Sequence, residues 1–241
     1  IFIPASEKRI LLYGIDGNTI KGWRFDRSDH LVTRPVQHFR ISGKDYLTFA
    51  DENRVYIVDR QGRTRINLKE QFSKNPMSDF YLELSGPGGS PCILTGDTKG
   101  NIISILLSGN ILKRQLPINS ADYSMSVANI DGLGSQEVIV VEGNTLQAFD
   151  QRGNEKFTQT FSTPISSVPY LYKFASRDTK IGVVSSQESK IYLVNNDGSI
   201  SDDFPIIGTT PFSIGFLKSD AGSFNLVVGG KDNFLYNYVI N

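Results

Sequence analysis

The sequence predicts an all-β fold, and three observations lead to that prediction. Polar turns, each built around a glycine, recur at intervals of 44 to 47 residues. Apolar residues stand at two fixed distances before each of those glycines. No long window keeps the apolar spacing of an amphipathic helix, because Gly or Pro interrupts most candidates. The turns lie at Gly17, Gly62, Gly109, Gly153 and Gly198.

Each repeat contains a hairpin flanked by two further strands. The runs RVYIVD, EVIVVE and KIYLVN are rich in β-branched and aromatic residues and are bounded by turn residues, which indicates strands. A strand of mixed polarity follows the glycine, as in TIKGWRF, and another precedes the hairpin, as in VQHFRI. Four short strands in about 45 residues are typical of a β-propeller blade. The apolar positions seven residues before the glycine are Ile10, Val55, Ile102, Leu146, Ile191 and, counted from Asn241, Phe234; those fifteen before it are Phe2, Leu47, Leu94, Val138, Val183 and Leu226.

We therefore predict a β-propeller of about six four-stranded blades that occupies residues 1–241 as a single domain. Counting strands places Ile1 in the second strand of the first blade and Asn241 after the third strand of the sixth, so we expect a fragment of a longer chain. A larger propeller, with further blades elsewhere in the parent, is an open alternative. A solenoid of parallel strands is a weaker one, since its coils run to about 20–30 residues and lack hairpins.

The charge balance and the apolar run lengths exclude several kinds of partner. The 241 residues include 25 Lys and Arg against 25 Asp and Glu. This balance provides no positive surface for a phosphate backbone, so we expect no nucleic-acid partner. The apolar runs are far shorter than the ~20 residues of a spanning helix, so we expect no membrane insertion of this domain. One cysteine excludes an internal disulfide framework.

The repeat resembles that of the quinoprotein-like (PQQ-like, WD-repeat-like) β-propellers. RVYIVDRQG, TLQAFDQRG and KIYLVNNDG match the apolar strand and polar glycine turn of that repeat, and GNTIKGW, with Trp23, matches the strand that follows. The stretch from KGWRFDRSDH to VDRQGR is similar, at closer range, to the C-terminal propeller region of large uncharacterised envelope proteins of Bacteroidetes. That likeness implies a bacterial source, a larger parent and a periplasmic or cell-envelope location, and it implies no activity.

One copy also resembles the FG-GAP loop of integrin-type propellers, in which acidic residues at alternate positions hold calcium. In ANIDGLGSQEVIVVE, Asn129, Asp131 and Glu137 match ligand positions of that loop. Leu133 stands where the family has an acidic side chain. The resemblance therefore implies calcium binding that is weak or absent, and we expect no other cofactor.

Residues that could carry catalytic chemistry are few and scattered. Cys92 begins an apolar strand and has no base or helix N-terminus nearby to activate it, so we expect a buried thiol. His30 and His38 are too few for a histidine metal site. The Gly-rich segment 85–91 lacks the Gly-Lys-Ser/Thr of a phosphate-binding loop. We therefore predict that the chain is not an enzyme.

The loops between the second and third strands of the blades form the candidate binding face. They are polar in every copy and differ from blade to blade, while the strand cores recur. A constant core with variable loops is typical of a scaffold with one specialised binding face, although solvated hairpin tips are the simpler interpretation. Their charges have both signs, which suits a protein partner. The candidate binding residues are Arg9, Asp51, Arg54, Asp97, Lys99, Glu142, Lys190, Lys231 and Asp232.

Two functional hypotheses follow. The first is a non-catalytic scaffold or protein-interaction module of a bacterial envelope-associated protein, which holds a protein partner or other domains of its parent chain. The second is a ligand- or cofactor-binding propeller, either a sensor or a degenerate quinoprotein or hydrolase, with its site over the central channel. A narrow channel that is apolar or filled with water would favour the first, and a pocket with convergent charges would favour the second.

Overall fold

The computed structural model describes residues 1–217 and 222–240. Among these residues, six antiparallel sheets hold nearly all of the regular structure, so the predicted all-β class is confirmed. The chain divides into two compact units: unit 1, Ile1–Ala121, contains sheets 1 to 3, and unit 2, Asp122–Asn241, contains sheets 4 to 6. No helix in the described part is long and apolar enough to cross a membrane.

Unit 1 is described throughout, and its strands pair with their neighbours in chain order. Sheet 1 has two strands, and sheets 2 and 3 have four each. A short 3-10 turn over Pro87–Gly89 interrupts sheet 3. The strands are β1 (Phe2–Pro4) and β2 (Ile10–Leu12); β3 (Gln37–Ile41), β4 (Lys44–Ala50), β5 (Val55–Val58) and β6 (Thr64–Ile66); and β7 (Tyr81–Glu83), β8 (Cys92–Gly96), β9 (Asn101–Leu106) and β10 (Ile111–Gln115).

Unit 2 repeats the same arrangement. In its described part, sheets 4 and 5 have four strands each and sheet 6 has three, again paired in chain order. The strands are β11 (Tyr123–Ala128), β12 (Glu137–Glu142), β13 (Thr145–Phe149) and β14 (Glu155–Thr160); β15 (Tyr170–Ala175), β16 (Asp178–Ser185), β17 (Lys190–Val194) and β18 (Ile206–Ile207); and β19 (Ser213–Gly215), β20 (Phe224–Gly229) and β21 (Leu235–Ile240).

The recurring apolar positions form the cores within each unit. Val55, Ile102, Leu146 and Ile191 are all buried, as the repeat predicts. In unit 2, for example, Leu146 belongs to a cluster that also includes Ile181 of the neighbouring sheet. Since each cluster joins residues of successive sheets, burial of these side chains stabilises the stacking of sheets as well as the sheets themselves.

Two details of the predicted repeat are wrong. The segment TIKGWRF does not add a third strand to sheet 1, because only Thr19 forms a bridge to Tyr13 and Gly22 then turns the chain with φ +90°. Trp23 instead donates its indole N–H to the Ile10 carbonyl at 2.8 Å. Phe234 is 69% exposed and lies one residue ahead of β21, so it does not take the buried position that the repeat predicts.

Two of the repeated glycine turns, those of Gly62 and Gly153, share one mechanism, and the β8–β9 hairpin uses it as well. In the turn after β13, Oδ1 of Asp150 accepts the backbone N–H groups of Arg152 and Asn154, each at 2.8 Å. Gly153 between them has φ +87°, a conformation that glycine adopts without steric cost. The turns that begin at Asp59 and Asp97 bind their own backbone in the same way. The sequence Asp-x-x-Gly is therefore a turn signal with a physical cause.

We predict that Asp150→Ala destabilises unit 2 by about 1–2 kcal/mol, because it removes a charged acceptor of several hydrogen bonds. Asp150→Asn is the matched control, since it keeps an oxygen acceptor, and Asn195 begins the corresponding turn after β17. Urea unfolding measures both variants. Equal losses for alanine and asparagine would show that the side-chain acceptor does not stabilise the turn.

Candidate functional site

The second-to-third strand hairpins lie where the sequence predicts them. They are the β4–β5 and β8–β9 loops in unit 1, and the β12–β13, β16–β17 and β20–β21 loops in unit 2, with β1–β2 in sheet 1. In an antiparallel four-stranded sheet, the start of the first strand lies at the same end as this hairpin. Segments that lead into a first strand therefore share the candidate binding end.

Unit 1 has a cleft of about 730 Å³ at this end. Its rim is formed by the β1–β2, β4–β5 and β8–β9 loops, which contribute Lys8, residues 51–53 and Thr98. Its other walls come from the segments before β3 and β7, residues 30–37 and 73–80. The size is within the ~300–1,000 Å³ range of ligand pockets.

The wall before β7 is fixed to the neighbouring hairpin by backbone hydrogen bonds. Thr98 donates its N–H to the Ser73 carbonyl at 3.0 Å, and Asn75 donates its N–H to the Gly96 carbonyl at 2.9 Å. Lys74 lies between these two bonds and forms an isolated bridge with Asp97. The backbone that carries Lys74 is thus held in place like an additional strand.

Lys74 supplies a buried ammonium group to the cleft. Lys74 is only 8% exposed. Its Nζ donates hydrogen bonds to the Asn75 carbonyl, at 2.9 Å, and to the Ser78 carbonyl. The ammonium also lies 5.2 Å from the centre of the Phe80 ring. Burial lowers the pKa of Lys74 to about 8, with the nearby charge of Asp79 opposing this shift and that of Arg34 adding to it.

Arg34 supplies the second cation. Its Nη2 contacts Oδ1 of Asp79 at 2.9 Å, and its side chain is 42% exposed. Its Nε is buried and has no hydrogen-bond partner among the described residues. Since a guanidinium has five N–H donors, Arg34 keeps donors for a further acceptor.

Asp51 lines the cleft, but its carboxylate is already engaged. Oδ1 accepts the N–H groups of Asn53 at 3.0 Å and Arg54 at 2.9 Å. Oδ2 accepts the N–H of His30 at 2.8 Å and the hydroxyl of Tyr56 at 3.0 Å. Burial alone would raise the pKa of Asp51, but these donors outweigh it and hold the pKa below its ordinary value. Asp51 therefore fixes the β4–β5 loop.

The remaining predicted binding residues of unit 1 do not line the cleft. Arg54 pairs with Asp29 at 3.2 Å, and Arg9 approaches Glu7 at 3.9 Å. Asp97 is buried and binds the backbone of its own turn, while Lys99 is exposed on that turn. Of the nine predicted residues, only Asp51 contributes to the cleft wall.

The predicted residues of unit 2 lie in hairpins of separate sheets. Glu142 ends β12 and is half-buried. Lys190 begins β17 and contacts Glu188 at 3.4 Å. Lys231 is exposed in the β20–β21 loop, and the neighbouring Asp232 accepts the Tyr236 hydroxyl at 2.5 Å. Binding roles for these four residues stay predictions.

The sequence interpretation misses Arg34 and Lys74 because it considers only the hairpins. Arg34 lies three residues before β3, and Lys74 lies seven residues before β7. Both belong to connections that enter a first strand, which share the hairpin end of the sheet. Basic residues in those connections are the signal that could have identified them.

The FG-GAP-like loop of unit 2 contains a lysine in place of a calcium cage. Nζ of Lys156 contacts Oδ2 of Asp131 at 2.5 Å and Oε1 of Glu137 at 3.2 Å. Oε2 of Glu137 accepts the Ile130 N–H at 2.9 Å, and Oδ1 of Asn129 accepts a backbone N–H at 2.6 Å. These oxygens are arranged for N–H donors, so the loop in this form does not fit calcium. Weak or absent calcium binding stays a prediction.

Lys156 and Asp131 stabilise each other's charged forms. Burial alone would lower the pKa of Lys156, but its hydrogen bonds to Asp131 and Glu137 raise the pKa above its ordinary value. Burial alone would raise the pKa of Asp131, but the bonds from Lys156 and from the Leu133 N–H lower it. Glu137 is 1% exposed, so this lysine compensates a deeply buried carboxylate.

Cys92 is not poised for nucleophilic chemistry. It is fully buried at the start of β8. Burial, with the charge of Glu83 adding to it, raises the pKa of the thiol to about 11, which disfavours the reactive thiolate. Among the described residues, no group of three or more His, Cys, Asp or Glu side chains is arranged to hold a metal ion.

Comparison with known proteins identifies the fold. No family profile and no curated protein matches the chain. BBS1N in complex with ARL6DN aligns with a TM-score of 0.60 and 12% identity over 98% of this chain and 72% of that chain in a lead-soaked crystal. The same complex in a mercury-soaked crystal aligns with a TM-score of 0.57 and 13% identity, over 98% of this chain and 71% of that chain.

A second neighbour is an enzyme. Catalytically inactive virginiamycin B lyase from Staphylococcus aureus, with quinupristin, aligns with a TM-score of 0.53 and 17% identity over 96% of this chain and 77% of that chain. At these identities the likeness is one of fold. Together with the six antiparallel sheets, it confirms the predicted β-propeller class.

Proposed function

We propose that this propeller is a non-catalytic module that binds a protein partner at the hairpin end of its sheets. The observation that carries the proposal is the unit 1 cleft, which three successive sheets build from loops that differ in sequence. Variable loops on a repeated scaffold are a common way to form a recognition surface. One structural neighbour, BBS1N, was crystallised in complex with another protein, ARL6DN, which gives a precedent for the fold.

The mixed charge of the rim supports a protein partner. Exposed Lys8, Glu52, Arg54 and Lys99 surround the opening or stand beside it, so both signs are present. Complementary charge of this kind governs association rate and specificity more than raw affinity. The bacterial envelope setting rests on the sequence resemblance and stays part of the proposal.

A second candidate function is a ligand-binding propeller, which one specific observation favours. Arg34, Lys74 and Asp79 converge in the cleft, and a pocket with convergent charges is the feature expected of that class. A small-molecule ligand would then bind in the cleft without any protein partner.

Site-specific photo-crosslinking tests the protein-binding proposal. We expect a photoreactive residue at Asn53, on the rim, to crosslink a partner in cells that produce this protein. The same residue at Leu112, on β10 and 45% exposed, should give no such product. The triple variant Lys8→Glu, Arg54→Glu, Lys99→Glu should lose the Asn53 product, because it reverses the positive charge of the rim.

The triple variant should remain folded. Exposed substitutions usually change stability by about 0.5 kcal/mol or less, and the exposed Arg54–Asp29 pair contributes about 1 kcal/mol at most. Melting followed by circular dichroism checks this. An equal yield from Asn53 and Leu112, or an Asn53 product that survives the charge reversal in a folded variant, would place the binding surface elsewhere.

A further inference from the structure

We propose that the unit 1 cleft binds a carboxylate of the protein partner between the Lys74 ammonium and the Arg34 guanidinium. This inference rests on the proposed function and names the chemical group that the partner supplies. The two cations lie on connections into β3 and β7, in the walls of one cleft, and neither belongs to the hairpins that the sequence singles out.

Lys74 is a buried cation whose direct partners are neutral. Two backbone carbonyls and the face of the Phe80 ring surround its ammonium. Burying an ammonium is costly unless an opposite charge compensates it. Two carbonyls engage two of the three N–H donors of a lysine, so one donor is left for a ligand. An anion in the cleft would supply the missing charge.

Arg34 offers a complementary fork. Its contact with Asp79 uses Nη2, and its buried Nε has no partner among the described residues. The Arg34 side chain is 42% exposed, so the guanidinium N–H donors that Asp79 does not engage can reach an acceptor in the cleft. Guanidinium groups bind carboxylates with good geometric match.

The charge balance favours a carboxylate over a phosphate. Arg34 and Lys74 carry two positive charges, and Asp79 compensates one of them. One net positive charge matches a singly charged carboxylate, whereas a dianionic phosphate would leave a negative charge in the cleft next to Asp79. Among the other ionisable groups that line the cleft, Lys8 is positive and Asp51 and Glu52 are negative. Apart from His30, the whole lining therefore has no net charge, and the net positive charge is local to Arg34, Lys74 and Asp79.

The cleft is larger than a carboxylate needs. Beyond the charged pair, its walls include the exposed residues Leu31, Pro35 and Pro76, which offer apolar surface to neighbouring side chains. An acidic side chain within a peptide would use both parts of the cleft. A free small carboxylate would use only the charged part and would lose the apolar contacts.

Calorimetry with three probes tests the inference. The probes are the capped peptide Ser-Leu-Glu-Leu-Ser, whose leucines can reach the apolar walls, its Gln counterpart and free glutarate. We expect the Glu peptide to bind at least about tenfold more tightly than the Gln peptide, since a charged hydrogen-bonded pair is lost in the latter. In protein with 13C-labelled lysine, the Glu peptide should also raise the pKa of Lys74 from about 8, because an anion favours the charged ammonium.

Variants separate the site from the rest of the surface. Arg34→Gln should lower the affinity for the Glu peptide about tenfold. Lys113 lies on β10 and forms an exposed ion pair with Glu70. Lys113→Met removes this pair and should leave the affinity for the Glu peptide unchanged. If Lys74→Met fails to fold, the Lys74 signal of the native protein still gives the answer, since it needs no substitution.

Every result other than the expected one overturns a specific part of the two proposals. Equal affinity for the Glu and Gln peptides, or a Lys74 signal that does not move, would exclude the carboxylate site, while a crosslink at Asn53 would leave the proposed function standing. Glutarate that binds as tightly as the Glu peptide would show a site for free carboxylates and overturn the assignment to a protein partner. Absence of both the crosslink and the peptide binding would overturn both proposals.

Discussion

Replacement of Lys156 by methionine is expected to destabilise unit 2 by about 3–5 kcal/mol, because it leaves the Glu137 carboxylate buried without a counter-ion. Glu137 is 1% exposed, and without Lys156 its carboxylate keeps the hydrogen bond from the Ile130 N–H but has no positive charge beside it among the described residues. Urea unfolding followed by circular dichroism measures the loss.

Two further variants make this result specific to the buried charge. Lys156→Met combined with Glu137→Gln should recover much of the lost stability, because it removes the uncompensated charge. Lys190→Met is the matched control, since its pair with Glu188 lies at the surface and contributes about 1 kcal/mol or less. If Lys156→Met costs no more than Lys190→Met, the lysine does not compensate a buried carboxylate.

The pH dependence of the Lys156 effect follows from the two pKa shifts. The pKa of Asp131 is lowered in the folded state, so its contribution is present above its ordinary value of 3.8 and is lost as the pH falls through the folded pKa. The pKa of Lys156 is raised, so its contribution is present below 10.5 and is lost as the pH rises through the folded pKa. The stability gap between native protein and Lys156→Met should therefore be widest at neutral pH and should narrow in acid and in strong alkali.

The fold could be predicted from this sequence because its signals are local and repeated. A turn such as that of Asp150 and Gly153 depends on a few neighbouring residues, and runs of β-branched and aromatic residues bounded by turn residues mark the strands. Repetition then corrects individual ambiguities, since a position such as Val55 is interpreted together with its equivalents. The prediction fails for TIKGWRF, where Gly22 and the indole of Trp23 override the strand propensity.

The candidate site could be predicted only in part, because it depends on contacts between distant segments. The hairpin ends follow from strand order, and for that reason the sequence alone identifies Asp51 as a candidate. The conclusion that Asp51 is engaged needs His30 and Tyr56, which approach from outside its loop. Lys74 lies next to Asp97 because the two residues form a β-bridge, although they are 23 residues apart in the sequence. Nothing in the sequence around either residue predicts this pairing. The role of Lys156 in the FG-GAP-like loop is equally non-local, since it lies on β14.

Truncation of Leu146 to alanine is expected to cost about 2–5 kcal/mol, the range for packed aliphatic side chains whose removal leaves a cavity. Leu146 is fully buried on β13, in a cluster with Phe157 and Val183. Leu133→Ala is the matched control in the same unit, because Leu133 is 70% exposed and its truncation should change stability by about 0.5 kcal/mol or less. Equal effects of the two truncations would contradict the assignment of Leu146 to the core.

The same variant tests whether residues 1–241 fold as one domain, as the repeat predicts. Trp23, which lies in unit 1 against the Phe2 ring at 5.5 Å, is the one tryptophan of the chain, so its fluorescence reports the unfolding of unit 1. Circular dichroism reports the strands of both units. If the chain unfolds cooperatively, Leu146→Ala in unit 2 should lower the urea midpoint equally by both signals. A fluorescence midpoint that stays at the native value while the dichroism midpoint falls would mean that the two units unfold independently, because the loss of packing in one would then not reach the other.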